Sequence, residues 1–333
     1  MTDYSELSFE MLCERLAEPA STLILLHRNP DADAVGSAFA LKELLLALGS
    51  HAWCVCADEL PARLRFLADA EQESLLPEAI PEGVAIERIV SVDSASPAQL
   101  GDLYTLYGES IELMIDHHGM GEVYADHYVR DDAAATGEIL FDLVRCFAED
   151  GRIRITKSLC ERIYAAISSD TGCFQFSNVT SGTHNRAADL IASGIDCAEI
   201  NRLLFHTVSY DQLRAQAAGI SNLHLHADGK IGVMLFPYAL KAALGLSDEH
   251  LGNLVDVVRS LEGVKVAVFI RQPKPEGVFR VSTRSACDFD VAALCAKFDG
   301  GGHKKAAGCT LEADSAEAAM EKLLAEIDPA LIF

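Results

Sequence analysis

A short apolar run at residues 22–26 (TLILL) leads directly into the polar segment His27-Arg28-Asn29-Pro30-Asp31-Ala32-Asp33. The run predicts a buried strand, and the loops that follow strands are where open α/β sheets bind their ligands. Pro30 fixes one backbone angle between the histidine and the first aspartate. One imidazole and two carboxylates suit a divalent ion such as manganese, with zinc, iron and cobalt as alternatives. The simpler interpretation is a polar loop in which Asp33 is the N-cap of a helix.

The first half of the chain alternates short apolar runs with longer amphipathic segments. Further strands are predicted over residues 52–56, 89–92 and 112–115, and helices over 34–48, 138–148, 159–167, 183–191 and 198–205. Strands that alternate with helices predict right-handed crossovers and a mainly parallel sheet. We therefore expect an α/β fold.

The second half carries a hairpin signal. Asp228-Gly229 joins strand patterns over 223–227 and 230–236, as is typical of a two-residue turn. Further strands are predicted over 264–271 and 278–284, and helices over 251–261, 290–298 and 315–326. We predict two domains, an N-terminal domain over 1–185 and a smaller C-terminal α/β domain over 210–333, joined by a helical linker over 186–209.

Composition limits the choice of partners. The net charge of −23 argues against binding of long nucleic acid. Between positions 263 and 310, however, eight Lys and Arg residues stand against four Asp and Glu, and a local basic patch fits a small anionic ligand or an ordinary solvated face. Neither a secretory signal nor a membrane-length apolar stretch is visible. We expect a cytoplasmic protein without membrane contact; the oligomeric state stays open, with a homodimer as one alternative.

Three further segments carry the same chemistry as the first. Asp93 directly follows the strand predicted over 89–92, Asp116-His117-His118 follows the strand over 112–115, and Asp170 lies beyond the helix over 159–167. Because the carboxyl ends of parallel strands share one sheet edge, these groups can converge. Carboxylates packed together repel one another, and divalent cations remove that repulsion.

Each segment also has a simpler explanation. Asp93 could cap a short helix near Pro97, and Asp116 could end a turn. Adjacent histidines are often surface residues, and Asp170 with Thr171-Gly172 could form a turn. Short matches of this kind are weak one at a time. Together, the segments supply the roughly seven ligand contacts that two metal ions need if one carboxylate bridges them; the ligands would be His27, Asp31, Asp33, Asp93, His117 and Asp170.

These motifs, in this order, resemble those of the DHH phosphoesterases. Downstream, the glycine-rich signature of the associated DHHA1 domain is similar to Gly300-Gly301-Gly302-His303-Lys304-Lys305-Ala306-Ala307-Gly308, and the strand ahead of it is similar to Ser282-Thr283-Arg284-Ser285. The resemblance covers nearly the whole chain. It implies a DHH catalytic domain followed by a DHHA1 substrate-binding domain, with the active site in the cleft between them.

The resemblance also implies a role for each residue. His27, Asp31 and Asp93 would hold one divalent ion, most often Mn²⁺, and a second ion would be held by Asp33, Asp93, His117 and Asp170. His118 would face the substrate phosphate, and Asp116 would orient the histidines. In the second domain, Arg284 and His303 would bind a terminal phosphate, and the amides of Gly300, Gly301 and Gly302 would approach it closely.

The two-domain form resembles the nano-RNases, which trim short oligoribonucleotides to 5′-mononucleotides and often remove the 3′-phosphate of adenosine 3′,5′-bisphosphate. A phosphodiesterase acting on cyclic or linear di-adenylate is the alternative. A catalytically silent nucleotide sensor is an alternative of a different class. A family II pyrophosphatase is disfavoured, because that family has a different second domain without the Gly-Gly-Gly-His motif.

Overall fold

The apolar runs of the first half form a parallel sheet. Its strands are β1 Ser21–Leu25, β2 His51–Val55, β3 Arg88–Val92, β4 Leu113–Asp116 and β5 Asp126–Val129, in the order β2-β1-β3-β4-β5. The computed structural model describes residues 4–69, 72, 74–81, 83–252, 254–328 and 330. The predicted α/β fold is confirmed, and each of the four predicted strands is shifted by one residue at most. The edge strand β5 was not predicted.

Helices cover this sheet. They are α1 Phe9–Ala17, α2 Ala32–Ala47, α3 Pro97–Leu100, α4 Asp102–Tyr107, α5 Thr136–Glu149, α6 Lys157–Asp170, α7 Ser181–Ala192 and α8 Cys197–Phe205. Helix α2 is buried along most of its length and packs against α5 and α6. A Cβ atom at Gly36 would lie 2.6 Å from the Arg162 carbonyl oxygen, so this glycine permits the close approach of α2 and α6.

Helix α2 begins at Ala32, within the polar segment of residues 27–33. The side chain of Asp31 accepts a hydrogen bond from the Ala34 amide at 3.0 Å and is the N-cap. The alternative in which Asp33 caps the helix is therefore wrong. Asp33 lies inside the first turn and is fully buried.

The second half forms a mixed sheet. Its strands are β6 Leu223–His226, β7 Ile231–Phe236, β8 Val266–Arg271, β9 Val278–Ser285, β10 Gly301–His303 and β11 Ala306–Glu312, in the order β10-β11-β9-β8-β7-β6. Strands β6 and β7 form the predicted antiparallel hairpin, whereas β7 and β8 run parallel. The remaining helices are α9 Tyr210–Ile220, α10 Tyr238–Ala243, α11 Leu254–Arg259, α12 Val291–Ala296 and α13 Ala316–Leu324. The helix predicted over 251–261 is shorter, and its position 253 lies outside the described residues.

Helices pack on both faces of this second sheet, but they cover one face only in part. One face packs on α12 and α13 through the alternate buried residues of β9, Phe279, Val281, Thr283 and Ser285. On the other face, α9 and α11 cover β7 and β8. Arg280, Ser282 and Arg284 of β9 point to that second face, where they are exposed or half-exposed.

The chain divides into two units after Thr207. Helices α7 and α8, which the sequence analysis placed in a linker, pack against α6 in the first unit. The boundaries at 185 and 209 and the cleft between the domains stay predictions. Within the described part of the chain, no helix has the length and apolar character needed to cross a membrane.

Candidate metal centre

Three neighbouring strand ends bring the predicted site residues to one sheet edge. In the parallel register, Val92 of β3 pairs with Ile115 of β4, and Leu25 of β1 pairs with Ser91 of β3. Asp93, directly after β3, therefore lies next to Asp116, the last residue of β4. His27, shortly after β1, lies on the other side of Asp93. Asp93 has a φ of 53°, a left-handed backbone conformation that aspartate tolerates better than most residues. This turn directs the buried Asp93 carboxylate into the cluster.

The Asp93 carboxylate lies between two histidines. Its Oδ2 is 3.8 Å from Nε2 of His27, and its Oδ1 is 3.6 Å from Nε2 of His117. His27 Nε2 is also 3.9 Å from Asp31, while His117 Nε2 is 3.3 Å from Asp170 and 3.9 Å from Asp33. These distances define two adjacent groups of ligand atoms that Asp93 joins, which is the arrangement that two ions with one bridging carboxylate require. Ligand atoms of Asp116 and His118 also lie close to those of Asp93 and His117.

The orientation of both imidazole rings fits metal binding. His27 Nδ1 lies 2.8 Å from the Arg28 carbonyl oxygen, and His117 Nδ1 lies 3.3 Å from the Ala133 carbonyl oxygen. A carbonyl oxygen accepts a hydrogen bond from Nδ1–H. In the neutral ring Nε2 then carries no proton and is free to act as a metal ligand. In each ring Nε2 is the atom that faces the carboxylates. The donor set therefore fits a pair of divalent ions.

Asp116 holds the two neighbouring histidines through hydrogen bonds. Its buried Oδ1 accepts hydrogen bonds from His118 Nδ1 at 2.7 Å, from the His117 amide at 2.7 Å and from the His118 amide at 3.2 Å. His118 is about one-third exposed, unlike the buried Asp116. The structure thus places Asp116 as a support and His118 at the surface of the cluster.

Helix α5 supplies contacts that the sequence analysis missed. The amides of Thr136 and Gly137, at its N-terminus, donate to the two oxygens of Asp33 at 2.7 and 3.0 Å, and the Thr136 hydroxyl donates to Asp93 Oδ1 at 3.0 Å. The positive end of a helix dipole stabilises a carboxylate in this position. The sequence signal for these contacts was weak. It consists of a threonine and a glycine that follow three alanines at the start of a helical pattern, and neither residue type by itself indicates a metal site.

The ionisation of the cluster shows how strongly its carboxylates repel one another. Burial, followed by the charge of Asp170, raises the pKa of Asp33 to about 7. Burial and the charges of Asp33 and Asp31 raise the pKa of Asp93 well above its usual value. Burial lowers the pKa of His117, but contact with Asp170 and the charge of Asp33 outweigh it and raise that pKa to about 9. Bound cations would remove this mutual repulsion.

The position of Asp170 at the end of a helix also favours a bound cation. It is the last residue of α6, where the helix dipole already presents partial negative charge. A carboxylate at this end is unfavourable unless positive charge lies nearby. The next turn holds two consecutive non-glycine residues with left-handed backbones, Cys173 and Phe174, with φ of 58° and 62°. The Asn178 side chain donates to the Asp170 carbonyl oxygen at 3.1 Å and helps to fix this turn.

In the second unit, strand pairing brings Arg284 and His303 into one row. Ala306 of β11 pairs with Arg284 of β9 on one side and with His303 of β10 on the other. The three residues therefore share one face of the sheet, and we call them the Arg284 row. Arg284 is half-exposed, and its Nε lies 3.9 Å from Asp256. The predicted phosphate-binding residues Arg284 and His303 thus lie in one row, with Ala306 between them.

The glycine run is an ordered edge of the sheet. Gly301 and Gly302 belong to β10. A Cβ atom at Gly300 would lie 2.3 Å from the Gly308 carbonyl oxygen, and one at Gly302, whose φ is +139°, would lie 2.6 Å from the Ala306 carbonyl oxygen. Both positions require glycine because the neighbouring strand is so close.

Comparisons with known proteins match a stretch of each unit. Residues 21–167 match the model of the DHH family, N-terminal domain, and residues 236–331 match the DHHA1 domain. The bifunctional oligoribonuclease and PAP phosphatase NrnA of Thermus thermophilus is 33% identical over 303 residues, which cover 90% of this chain and 87% of that protein. The cyclic-di-AMP phosphodiesterase GdpP of Geobacillus thermodenitrificans is 25% identical over 88% of this chain, but over 45% of its own length. An exopolyphosphatase-related protein from Bacteroides fragilis has the same fold, with a TM-score of 0.87, 22% identity and 97% coverage of both chains.

Proposed function

Since the chain belongs to the DHH phosphoesterase family, we propose that it is a two-metal phosphoesterase of short nucleotides. Its substrates are short oligoribonucleotides, cleaved to 5′-mononucleotides, and adenosine 3′,5′-bisphosphate, converted to AMP and phosphate. The observation that carries the proposal is the position of Asp93, whose two oxygens face two different histidines. The names of the two activities come from the T. thermophilus relative. The net charge of −23 also favours short substrates over long nucleic acid.

We assign the ligands to two ions. His27, Asp31 and Asp93 hold one, and the other is held by Asp33, Asp93, His117 and Asp170. When bound, such a pair lowers the pKa of water and neutralises charge on the phosphoryl group. We propose Mn²⁺ as the ion, because a mixed set of carboxylate and imidazole ligands suits it.

His118 contacts the substrate phosphate in this proposal. Its Nδ1 is held by Asp116 at 2.7 Å, so the ring is fixed and Nε2 is left for the substrate. When Nε2 carries a proton, it donates to a phosphate oxygen and offsets the charge that develops there. Asp116 acts through His118 and does not itself contact substrate.

The Arg284 row binds the 5′ end of the substrate. The Arg284 guanidinium and the His303 ring can both donate to phosphate oxygens. Backbone amides of the glycine segment can approach the same phosphate, because no side chains stand in front of Gly301 and Gly302. These contacts fix the nucleotide while the metal centre acts on the phosphate ester.

Product analysis by ion-exchange chromatography tests the proposal. The purified protein is incubated with Mn²⁺, Mg²⁺, Zn²⁺ or Co²⁺ and a 5′-phosphorylated RNA dinucleotide, with adenosine 3′,5′-bisphosphate and cyclic di-AMP in parallel. We expect 5′-mononucleotide from the dinucleotide and phosphate from the bisphosphate, with the highest rate in Mn²⁺. The matched control is Asp93→Asn, which keeps the shape of the side chain and removes its charge.

The outcomes separate the alternatives. Turnover of cyclic di-AMP without turnover of the other two substrates would establish the phosphodiesterase function that the similarity to GdpP favours. Binding of nucleotide without turnover of any substrate would establish the silent sensor. Activity that persists in Asp93→Asn would overturn the two-metal assignment.

A further inference from the structure

The second unit carries a polar groove on the face of its sheet that α9 and α11 leave open. The next row on the same face, two residues along from the Arg284 row, is formed by Ser282 of β9 and Gly308 of β11, which pair with each other. The row after that contains Arg280 of β9, which lies between Thr310 of β11 and Arg271 of β8. We call Thr310, Arg280 and Arg271 the Arg280 row. Because residues two apart on a strand share a face, both rows and the small residues between them face the same side.

The Arg280 row places two positive charges directly opposite each other. Arg271 and Arg280 pair across the antiparallel strands β8 and β9, and like charges in this position destabilise a sheet. Burial lowers the pKa of Arg271, Asp248 opposes that effect, and Arg280 adds to it. Asp248 lies 3.8 Å from Arg271. The Arg280 side chain forms neither an ion pair nor a hydrogen bond with the described residues, so its charge has no partner within the described part of the chain.

A cavity of about 670 Å³ lies against this row. Both arginines line it, with the hydroxyl-bearing residues Ser282 and Thr310 and the backbone of Gly308. Gly300 also lines it, so the cavity adjoins the segment assigned to substrate binding. Val281, Phe298 and Cys309 complete the uncharged part of its lining. The row between the two arginines, Ser282 and Gly308, has only small side chains and leaves room for a ligand.

The cavity also has two carboxylates in its lining. Asp299 and Glu312 are exposed, and in the described structure neither forms an ion pair with Arg280. Glu312 lies one row beyond Arg280, where β11 pairs with Val278. Both carboxylates therefore oppose anion binding in the cavity, and Glu312 does so from the row next to Arg280.

We propose that the Arg280 row binds an additional phosphate group of the substrate oligonucleotide, separate from the phosphate bound by the Arg284 row. The inference rests on the proposed function and concerns which chain lengths are preferred. Arg280 and Arg284 are four residues apart on one strand, about 13 Å at the rise of an extended chain. This separation suits a ligand with several phosphates, such as an oligonucleotide of three or more residues. A dinucleotide and adenosine 3′,5′-bisphosphate have no phosphate left for the Arg280 row.

Steady-state kinetics on 5′-phosphorylated RNA of two and four residues tests the proposal. For Arg280→Ala we expect the KM of the tetranucleotide to rise about ten-fold, as for loss of one charged hydrogen-bonding partner, while the KM of the dinucleotide stays within two-fold (~0.4 kcal/mol). The slope of log KM against log salt should fall by about 0.7 for the tetranucleotide, the value for one single-strand phosphate contact. Arg280→Lys should keep the slope, and Glu312→Gln should lower the tetranucleotide KM. The control Lys157→Ala removes an exposed charge at the start of α6 in the first unit and should leave both KM values and the slope unchanged.

The failure of this inference differs from the failure of the proposed function. Hydrolysis of both lengths by the unaltered protein establishes the function first. A KM for Arg280→Ala that is unchanged for both lengths, or raised equally for both, would then overturn the additional phosphate site. An unchanged salt slope would also overturn it, because a structural disturbance alone does not remove a phosphate contact.

Discussion

The Thr136 hydroxyl offers a sharp test of how the metal centre is organised. Thr136 is fully buried, and its Oγ1 donates to Asp93 Oδ1 at 3.0 Å. Thr136→Val replaces the hydroxyl by a methyl group and leaves the backbone amide, which donates to Asp33, in place. The variant therefore removes a single hydrogen bond to the carboxylate that joins the two ligand groups.

The expected loss can be worked from this one bond. A hydrogen bond to a charged group contributes about 1.5–3 kcal/mol, and each 1.4 kcal/mol is about ten-fold in affinity. Without the hydroxyl, the ionised form of Asp93 is less stable, and this is the form that binds a cation. We expect Mn²⁺ to bind roughly 10–100-fold more weakly, the range found when the supports of metal ligands are removed.

Isothermal titration of the metal-free protein with Mn²⁺ measures this loss directly. Circular dichroism and the thermal midpoint show whether the variant is folded. Thr136→Ser is the matched control, because it restores the hydroxyl without the methyl group, and its affinity should return to within a few-fold of that of the unaltered protein. If the valine variant bound Mn²⁺ as tightly as the unaltered protein, or if serine and valine behaved alike, the positioning role of Thr136 would be refuted.

Three further outcomes follow from the same geometry. Asp93→Asn should abolish hydrolysis yet leave the thermal midpoint of the metal-free protein unchanged or higher, because it removes one of several repelling buried carboxylates; a large fall in the midpoint would contradict this reasoning. Arg284→Ala should weaken nucleotide binding, measured by titration, without altering the metal content found by elemental analysis. His117, with its pKa of about 9 in place of 6.5, stabilises the metal-free fold fully below about pH 6.5 and loses that contribution as the pH rises through 9. Since metal binds the neutral ring, Mn²⁺ affinity should increase from pH 7 to pH 9 with release of a proton, which titrations in buffers of different ionisation enthalpy would detect.

Much of the first unit could be predicted because its strands are short apolar runs that end in polar groups. A fully buried parallel strand is continuous in its hydrophobicity, and this holds for the strands before His27, Asp93 and Asp116. Strand β5 was missed because its half-buried residues, Asp126–Val129, show no such run. Strand β11 was missed for a related reason. Its buried residues Ala307, Cys309 and Leu311 alternate with small or polar ones, and alanine and glycine have weak strand propensity.

The supports of the metal centre were harder to predict than its ligands. Histidine and aspartate side chains are themselves metal ligands, so their presence in a sequence indicates a metal site. Thr136 and Gly137 contribute mainly because their backbone amides lie next to Asp33. Two of the three contacts they make are backbone amides, which every residue except proline possesses. Their importance comes from the place where α5 begins, and helix starts are uncertain by one or two residues even in a structure.

Strand register sets a similar limit in the second unit. The sequence identifies Arg284 and His303 as residues of interest, but their proximity depends on the pairing of β9 with β11 and of β11 with β10. A slip of one residue in either pairing would turn one of the two side chains to the opposite face of the sheet. The close contacts of Gly300 and Gly302 with the carbonyl oxygens of β11 restrict that register, since any larger residue would push the strands apart. A separate register, that of β8 with β9, aligns Arg271 with Arg280. The sequence alone therefore cannot place the Arg280 row beside the predicted phosphate site, because several strand pairings must be known together.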